Sequence, residues 1–356
     1  MPKTKPPSQS AFVSPRVLIG LLLCLGGVTM ALFAFRSASA QGPSQGTPLS
    51  GIYRGLSPVV HFDISPPLRD ITPISPGPGQ LRENEDQDIV PRNSYFGLEP
   101  DPVVQSKAGD GMEIPGPIVS FDGPSNDSGV APPDPNGEVG PNHVVVMCNL
   151  SFAIYNKTGT LLFGPALNNT LWSGFGGPCQ TQNAGDPVVL YDQLADRWLL
   201  SQFTAGSAPF YNCVAISQTS NPTGSYYRYA ILTGTTGGNF PDYPKYGIWP
   251  DAYYISTREF LGGSGGAFQG VGAYALNRAQ MIAGNPTPQV ISFLMAPSPS
   301  YNVGDGLLPA DLDGTTLPPA GSPEYYVGSM DNNGPYGAPQ DALTLYKFHV
   351  DFAVPC

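Results

Sequence analysis

Aspartates recur at similar intervals along the chain, and proline follows each of the first three within two residues. The first three are 52 and 56 residues apart, and a fourth follows after 69 residues. They stand at Asp134-Pro135, Asp186-Pro187, Asp242-Tyr243-Pro244 and Asp311. Carboxylates that converge on one axis could hold a hard cation through their oxygens, or serve as general acid and base. The alternative is structural, because Asp ahead of Pro opens turns by accepting backbone hydrogen bonds.

Aromatic and basic side chains surround the third of these aspartates. Exposed rings at the mouth of a channel could stack on sugars, whereas rings along alternating strands more often pack between sheets. The candidates for ligand binding are Asp134, Asp186, Asp242, Tyr243, Lys245 and Asp251. No catalytic residue is assigned, because no G-x-S-x-G motif surrounds a serine and the three histidines are scattered along the chain.

Two short acidic segments are candidate metal ligands. Asp134-x-Asn136-x-Glu138 resembles the opening of a calcium loop, although Val139 stands where an EF-hand requires Gly. A second acidic turn contains Asp311 and Asp313. Ca²⁺ is therefore the cofactor that these residues could hold, while a plain acidic turn is the alternative.

Short strands must position these residues. From Ile118 onward, β-branched and aromatic runs alternate with Gly, Pro, Asn and Asp, which is the pattern of strands and turns. One unit, for example, contains Pro187–Tyr191, Trp198–Phe203, Cys213–Ser217 and Tyr226–Leu232. Four antiparallel strands in each repeat predict a β-propeller with lengthened loops. We therefore predict an all-β fold over residues 118–356, a propeller of four-stranded antiparallel blades with about four blades visible and the last incomplete.

An incomplete ring would leave sheet faces and edges uncovered. We therefore expect either that further blades follow Cys356 in a longer chain or that another chain completes the ring. Ile118–Phe121 is the candidate for a strand that closes the ring by joining the final blade.

The chain ahead of the strands has a different composition. Residues 1–40 combine basic residues, an apolar run over 17–35 and a small-residue stretch, which predicts a signal peptide and a secreted or extracellular protein. Retention of the run as a membrane anchor is the alternative, since its length approaches that of a spanning helix. Residues 41–117 are rich in Pro, Gly and Ser, and predict a largely irregular arm or linker.

Charge and cysteine content narrow the functional classes. The whole chain has a net charge of −11, and residues 1–40 contain four of its 16 basic residues and none of its 27 acidic ones. A strongly acidic surface argues against nucleic acid as a partner. An oxidising destination favours disulfides, and Cys179 with Cys213 is the favoured pair because both would lie in one sheet unit, with buried free thiols as the alternative.

Five segments resemble a group of large, secreted bacterial β-propeller proteins that are mostly uncharacterised. They are PPDPNGEVGPNH, GDPVVLYDQLADRWLLSQF, CVAISQTSNPTGSYYRY, DYPKYGIWPDAYYIST and LYKFHVDF. The resemblance implies a longer chain with further blades. At fold level the blades are similar to sialidase-type propellers, but the arginine cluster and the paired Tyr and acid of that class cannot be assigned here, which leaves activity open.

Three functions fit these observations. The first is an extracellular binding or scaffold module for a glycan, peptide or surface polymer, and the second is a glycoside hydrolase or lyase with an acidic site at the channel. The third is a structural part of a larger surface protein. Membrane is a partner only if the N-terminal segment is retained as an anchor.

Overall fold

The structure is a computed structural model that describes residues 52–77, 115–125, 128–234, 238–296, 303, 306–314, 316–330 and 341–354. The predicted signal peptide, the alternative anchor over residues 17–35 and Cys356 lie outside the described residues, as does much of the arm. Within the described part of the chain, no helix combines the length and the apolar character needed to cross a membrane.

The described chain contains seventeen strands, which make up nearly half of it. Two precede the ring, β1 (Ile52–Leu56) and β2 (Val59–Ile64). Blade 1 consists of β3 (Asn136–Val139), β4 (His143–Cys148), β5 (Ser151–Asn156) and β6 (Leu161–Leu167). Blade 2 consists of β7 (Val188–Asp192), β8 (Arg197–Phe203), β9 (Phe210–Ser217) and β10 (Tyr226–Gly234).

The other two blades follow in chain order. Blade 3 consists of β11 (Asn239–Ile248), β12 (Ala252–Leu261), β13 (Phe268–Asn277) and β14 (Val290–Met295). Blade 4 has three strands in the described chain, β15 (Leu308–Pro309), β16 (Glu324–Met330) and β17 (Ala342–Phe348). The two short α-helices are α1 (Gly177–Thr181) and α2 (Arg278–Ile282).

The sheets are the blades of a β-propeller. Every pairing within a blade is antiparallel between strands consecutive in sequence. The first strand of each blade lies at its inner edge, and these inner strands contact one another in the order β3, β7, β11 and β15. The predicted fold class, including an incomplete last blade, is confirmed.

Burial along the strands reflects the stacking of blades. Every residue of β7 is buried, and nearly every residue of β8 and β9, because a blade covers each face of blade 2. In β17, by contrast, exposed residues alternate with partly buried ones. Trp198 and Trp249 are 0% and 8% exposed, so both indoles pack in the interior instead of lining a surface.

The segment ahead of the ring is more ordered than its composition predicted. β1 pairs with β14 and β2 pairs with β10, so blades 3 and 2 each gain a fifth, outer strand. The chain then continues past a 3₁₀ turn at Leu68–Asp70. Leu68 and Ile71 are buried in the apolar core that blades 1 and 2 share. Residues 52–77 therefore contact blades 1, 2 and 3 and hold them together. We call this segment the belt.

Two further predictions can be compared with the structure. Cys179 in α1 and Cys213 in β9 form the disulfide that the sequence favoured. Ile118–Phe121, the candidate for a ring-closing strand, has no strand conformation; Ile118 is fully exposed, and the Phe121 ring lies 5.3 Å from that of Tyr155 in blade 1.

Candidate functional site

The heads of the first three blades share an unusual backbone conformation. Asp134, Asp186 and Tyr243 have φ values of 35°, 43° and 50°, a left-handed region that non-glycine residues adopt at a cost of about 1–3 kcal/mol. Each is followed by proline. Tyr243, and not Asp242, is therefore the equivalent of the first two aspartates. Asp242 is buried one residue earlier, opposite Arg258 of β12.

These three residues meet at one cavity on the axis of the ring. Its volume is about 350 Å³, and all four blades contribute to its walls. The polar side chains and the fourth-blade residues that line it are Asp134, Asn136, Asp186, Tyr243, Lys245, Tyr246, Leu308 and Pro309. We call this the central cavity. It brings together four of the six predicted ligand-binding residues, and Asp242 and Asp251 do not line its described walls.

A buried asparagine fixes two of the blade heads. The Asn149 side-chain amide donates to Asp134 Oδ2 at 3.1 Å, and its carbonyl oxygen accepts from the backbone N–H of Asp186 at 2.8 Å. Asn149 is completely buried. Gly185 has a φ of 115°, and a Cβ at this position would collide with the Asn149 side chain. Asn149 therefore holds two carboxylate-bearing turns of blades 1 and 2 in one arrangement.

Tyr243 and Lys245 form the third side of the central cavity. The Lys245 ammonium lies 3.5 Å from the centre of the Tyr243 ring, a cation–π contact. Tyr243 nevertheless remains 43% exposed. The cavity therefore offers an aromatic surface, a cation and two carboxylates to a ligand.

The remaining acidic candidates lie at the other end of the inner strands. Asp311 follows β15 instead of preceding it, and its Oδ1 accepts from the backbone N–H of Ile248, the last residue of β11, at 2.9 Å. Asp311 is therefore not the equivalent of the blade-head aspartates. Asp251, just beyond β11, is exposed, and its carboxylate accepts from the Tyr254 hydroxyl at 3.1 Å.

Three predicted metal ligands form a cluster at this second end. Carboxylate oxygens of Glu138, Asp311 and Asp313 lie within 4.8 Å of one another, joining blade 1 to the segment after β15. Asp134 and Asn136 are not part of it. β3 is extended, so residues two positions apart along it are separated by about 6.6 Å. Asn136 instead accepts from the backbone N–H of Val189 at 2.7 Å, tying β3 to β7.

The cluster is electrostatically strained. Burial, with smaller contributions from the neighbouring carboxylates of Asp313 and Glu138, raises the pKa of Asp311 to about 6, against backbone hydrogen bonds that lower it. The pKa of Glu138 is also raised, by burial and then by Asp313, against a hydrogen bond from the Val139 backbone N–H. Carboxylate oxygens are ligands that Ca²⁺ takes in proteins, and these three would supply part of the six to eight oxygens that it usually needs.

No family model matches this chain, and no curated protein is similar to it. Two solved structures give a partial structural match. One is a variant of the alpha-L-arabinanase of Cellvibrio cellulosa, 15% identical, covering 55% of this chain and 63% of that chain with a TM-score of 0.27. The other is endo-1,5-alpha-L-arabinanase from Thermotoga petrophila, 18% identical, covering 59% and 50% with a TM-score of 0.26. This chain therefore spans less than two thirds of each, and neither similarity bears on its function.

Two buried carboxyl groups were missed in the sequence. Glu259 in β12 and Glu324 at the start of β16 are 3% and 0% exposed. Burial raises the pKa of Glu259 to about 7, against hydrogen bonds that lower it, and raises that of Glu324 to about 8, with a contribution from Asp251. The signal that could have found them is an acidic residue inside an aromatic strand run.

These buried carboxyl groups predict an unusual dependence of stability on pH. In the unfolded chain both ionise near pH 4.5, so between that pH and about 8 the folded state binds more protons than the unfolded state. Their contribution to stability is complete below the unfolded pKa and is lost as pH rises through the folded pKa. We expect the melting temperature to rise by several degrees as pH falls from about 8.5 to about 5.5.

The control for this prediction is the double variant Glu259→Gln, Glu324→Gln. It removes both titrating groups with little change in shape, so its melting temperature should vary much less over the same pH range. The measurement is differential scanning calorimetry at constant ionic strength. A wild-type melting temperature that falls on acidification within this range would contradict the assignment.

Proposed function

We propose that this protein is an exported binding module that holds a carbohydrate, free or as part of a surface polymer, at the central cavity. The observation that supports it is the convergence of Asp134, Asp186, Tyr243 and Lys245, from three blades, on one cavity of about 350 Å³. Binding sites are commonly concave, with a few convergent polar groups that fix the orientation of the ligand. The resemblance to secreted bacterial propellers and the predicted signal peptide support an extracellular location.

The chemistry of the central cavity suits a polyhydroxylated ligand. Carboxylates accept hydrogen bonds from hydroxyl groups, and the Lys245 ammonium donates to hydroxyl or ring oxygens. The exposed part of the Tyr243 ring offers an apolar surface to the C–H face of a sugar, with its phenol free to contact polar atoms. No part of this arrangement requires a charged ligand.

The backbone conformation at the blade heads supports a preformed site. Three equivalent residues share the left-handed conformation, each locked on one side by the following proline. Asn149 adds hydrogen bonds to the turns at Asp134 and Asp186. A site that needs no reorganisation saves the cost of ordering its side chains and loops when a ligand binds.

Binding fits the described geometry better than glycoside hydrolysis. Hydrolysis uses two carboxyl groups, one of which must remain protonated through a raised pKa. Asp134 and Asp186 are the carboxyl groups among the described residues that line the central cavity, and Asn149 hydrogen-bonds both of their turns, which suits a fixed binding role. We therefore propose binding without turnover.

The test is a glycan array followed by binding measurements with Tyr243 variants. Tyr243→Ala should lower the affinity for the bound glycan by about tenfold or more, as for a central aromatic contact, whereas Tyr243→Phe should retain most of it. Tyr325→Ala is the matched control, because Tyr325 also lies beside a lysine, Lys347, but does not line the cavity.

Turnover must be measured on the same glycans. The expected result is binding with no release of reducing ends. Equal affinity losses in Tyr243→Ala and Tyr325→Ala would contradict the assignment of the site. Release of reducing ends that Asp134→Asn or Asp186→Asn abolishes would replace the binding proposal with hydrolysis.

A further inference from the structure

A second cavity lies between blades 2 and 3, away from the central cavity. Its volume is also about 350 Å³, and its walls come from β1, β10, β11, β12, β13 and β14 with the link between β1 and β2. That link fixes one wall, since Leu232 donates its N–H to the Pro58 carbonyl and the Ser57 hydroxyl donates to Ser292 Oγ. Leu56, another lining residue, is 69% exposed, so the cavity communicates with solvent.

A single carboxyl group dominates the chemistry of this cavity. Glu259 is 3% exposed, and its Oε1 accepts from the Thr257 hydroxyl at 2.5 Å and from the Tyr274 hydroxyl at 2.9 Å. The Asn239 side chain contributes a third hydrogen bond. A carboxylate has about four acceptor positions, so capacity for one further donor remains.

A glycine in β13 leaves room for this carboxylate. Gly272 lies on β13 opposite Thr257, and a Cβ there would collide with Glu259 Oε1 and Thr257 Oγ1. The missing Cβ thus leaves the space beside β13 that Glu259 Oε1 and Thr257 Oγ1 occupy. Glycine inside a strand often marks a position where another group approaches closely.

The described walls of the cavity carry no positive charge to match this carboxylate. None of the described residues that line it is Lys, Arg or His. Burying an ionised carboxylate without a cation is costly, so a ligand that supplies the cation gains from the pairing. A hard metal ion suits the cavity poorly, because it prefers six to eight oxygen ligands with several carboxylates, and Glu259 is the single carboxylate here.

We propose that this cavity, the Glu259 cavity, binds a small organic cation of the primary-amine class, whose ammonium group hydrogen-bonds to the Glu259 carboxylate. The hydroxyl groups of Tyr274 and Ser292 also line the cavity and offer further oxygen acceptors to the ammonium group. With a water occupying about 30 Å³ of liquid, the volume accepts roughly ten non-hydrogen atoms.

Binding in the Glu259 cavity should depend on pH. The pKa of Glu259 is about 7, so the carboxylate that the ammonium requires forms as pH rises from about 6 to about 8.5. The titratable group that contacts it is Tyr274 from β13, and Tyr246 from β11 acts electrostatically on Tyr274. Burial raises the pKa of both phenols, so they stay neutral in this range. Arg258, the neighbour in β12, lies over the ring of Phe260.

The test is calorimetric titration of the whole chain with hexylamine and, separately, with 1-hexanol, its neutral analogue. Hexylamine should bind about tenfold or more tightly than 1-hexanol at about pH 8.5, the difference that a charge-assisted hydrogen bond supplies. Glu259→Gln should remove this preference while keeping acceptor and shape. Asp122→Asn, at an exposed carboxylate outside the cavity, should leave the preference unchanged and so controls for attraction of amines to an acidic protein.

Wild-type protein provides a second readout that requires no variant. Its affinity for hexylamine should rise severalfold between about pH 6 and about pH 8.5, while that for 1-hexanol stays constant. Equal binding of the amine and the alcohol, a flat pH profile, or an undiminished preference in Glu259→Gln would each overturn the proposal. None of these results bears on glycan binding at the central cavity.

Discussion

Arg278→Met is expected to lower the free energy of unfolding by about 3–5 kcal/mol, the usual cost of removing one partner from a buried ion pair. Arg278 at the start of α2 makes two hydrogen bonds of 2.7 and 2.8 Å to the carboxylate of Asp192, at the end of β7. Asp192 is completely buried and also accepts from the Tyr253 hydroxyl at 2.7 Å. The variant therefore leaves a charge buried between blades 2 and 3 with only neutral donors.

The measurement is urea unfolding followed by circular dichroism at neutral pH. Lys347→Met is the matched control, because it also replaces a cation with Met, but on the exposed residue Lys347 near the Tyr325 ring. Its effect should stay within about 0.5 kcal/mol, as for most surface changes. Similar losses in both variants would show that the ion pair is not what joins the two blades.

Removal of the Cys179–Cys213 disulfide is expected to cost about 4 kcal/mol, from the loop-closure entropy of a bridge between residues 34 apart. The bridge ties α1, which follows blade 1, to β9 of blade 2, and both sulfurs are buried. The double variant Cys179→Ala, Cys213→Ala tests it without leaving a single reactive thiol.

Cys148→Ala provides the control for the lost side-chain volume. Cys148 is a buried free thiol in β4, so its replacement removes a sulfur atom without removing a cross-link. Its cost should be about 1 kcal/mol, well below that of the double variant. If the double variant unfolds at the same urea concentration as Cys148→Ala, the bridge contributes no more than its packing.

Most blade strands could be predicted because their apolar runs end at turn residues. The predicted strands Cys213–Ser217 and Tyr226–Leu232 lie within β9 and β10. β3 was missed, since Asn-Gly-Glu-Val has weak strand propensity and is extended through its pairing with β4. Its acidic residues therefore suggested a calcium loop instead of a strand.

The residues of the central cavity were predicted in part. Local irregularities of the backbone explain why the others were not. Asp134 and Asp186 converge as the repeat predicted, but the pairing of β11 with β12 shifts register between Asp242 and Lys245, which brings Tyr243 to the equivalent position. Asn149 was not among the predicted site residues. Its role depends on two blade heads 15 and 37 residues away, which no local pattern reports.

Long-range pairing also explains the unpredicted outer strands. β2 pairs with β10 in a register that places Ile64 opposite Tyr227, so its partner lies more than 160 residues further along the chain. Such a strand is difficult to predict in a Pro-rich segment. The composition of a sequence window combines the residues of two short extended runs with those of the turns around them. When the partner strand is not known, the composition of the belt indicates a linker.

The outer strands β1 and β2 have a practical consequence for anyone who shortens this protein. A version cut at the blade boundaries, starting near Pro132, would leave the backbone N–H and C=O groups along one side of β10 and β14 without their partners. Unpaired sheet margins of this kind recruit strands from neighbouring molecules. Such a fragment would tend to self-associate and lose solubility. This would happen even though blades 1, 2 and 3 retained four strands each and blade 4 its three described strands.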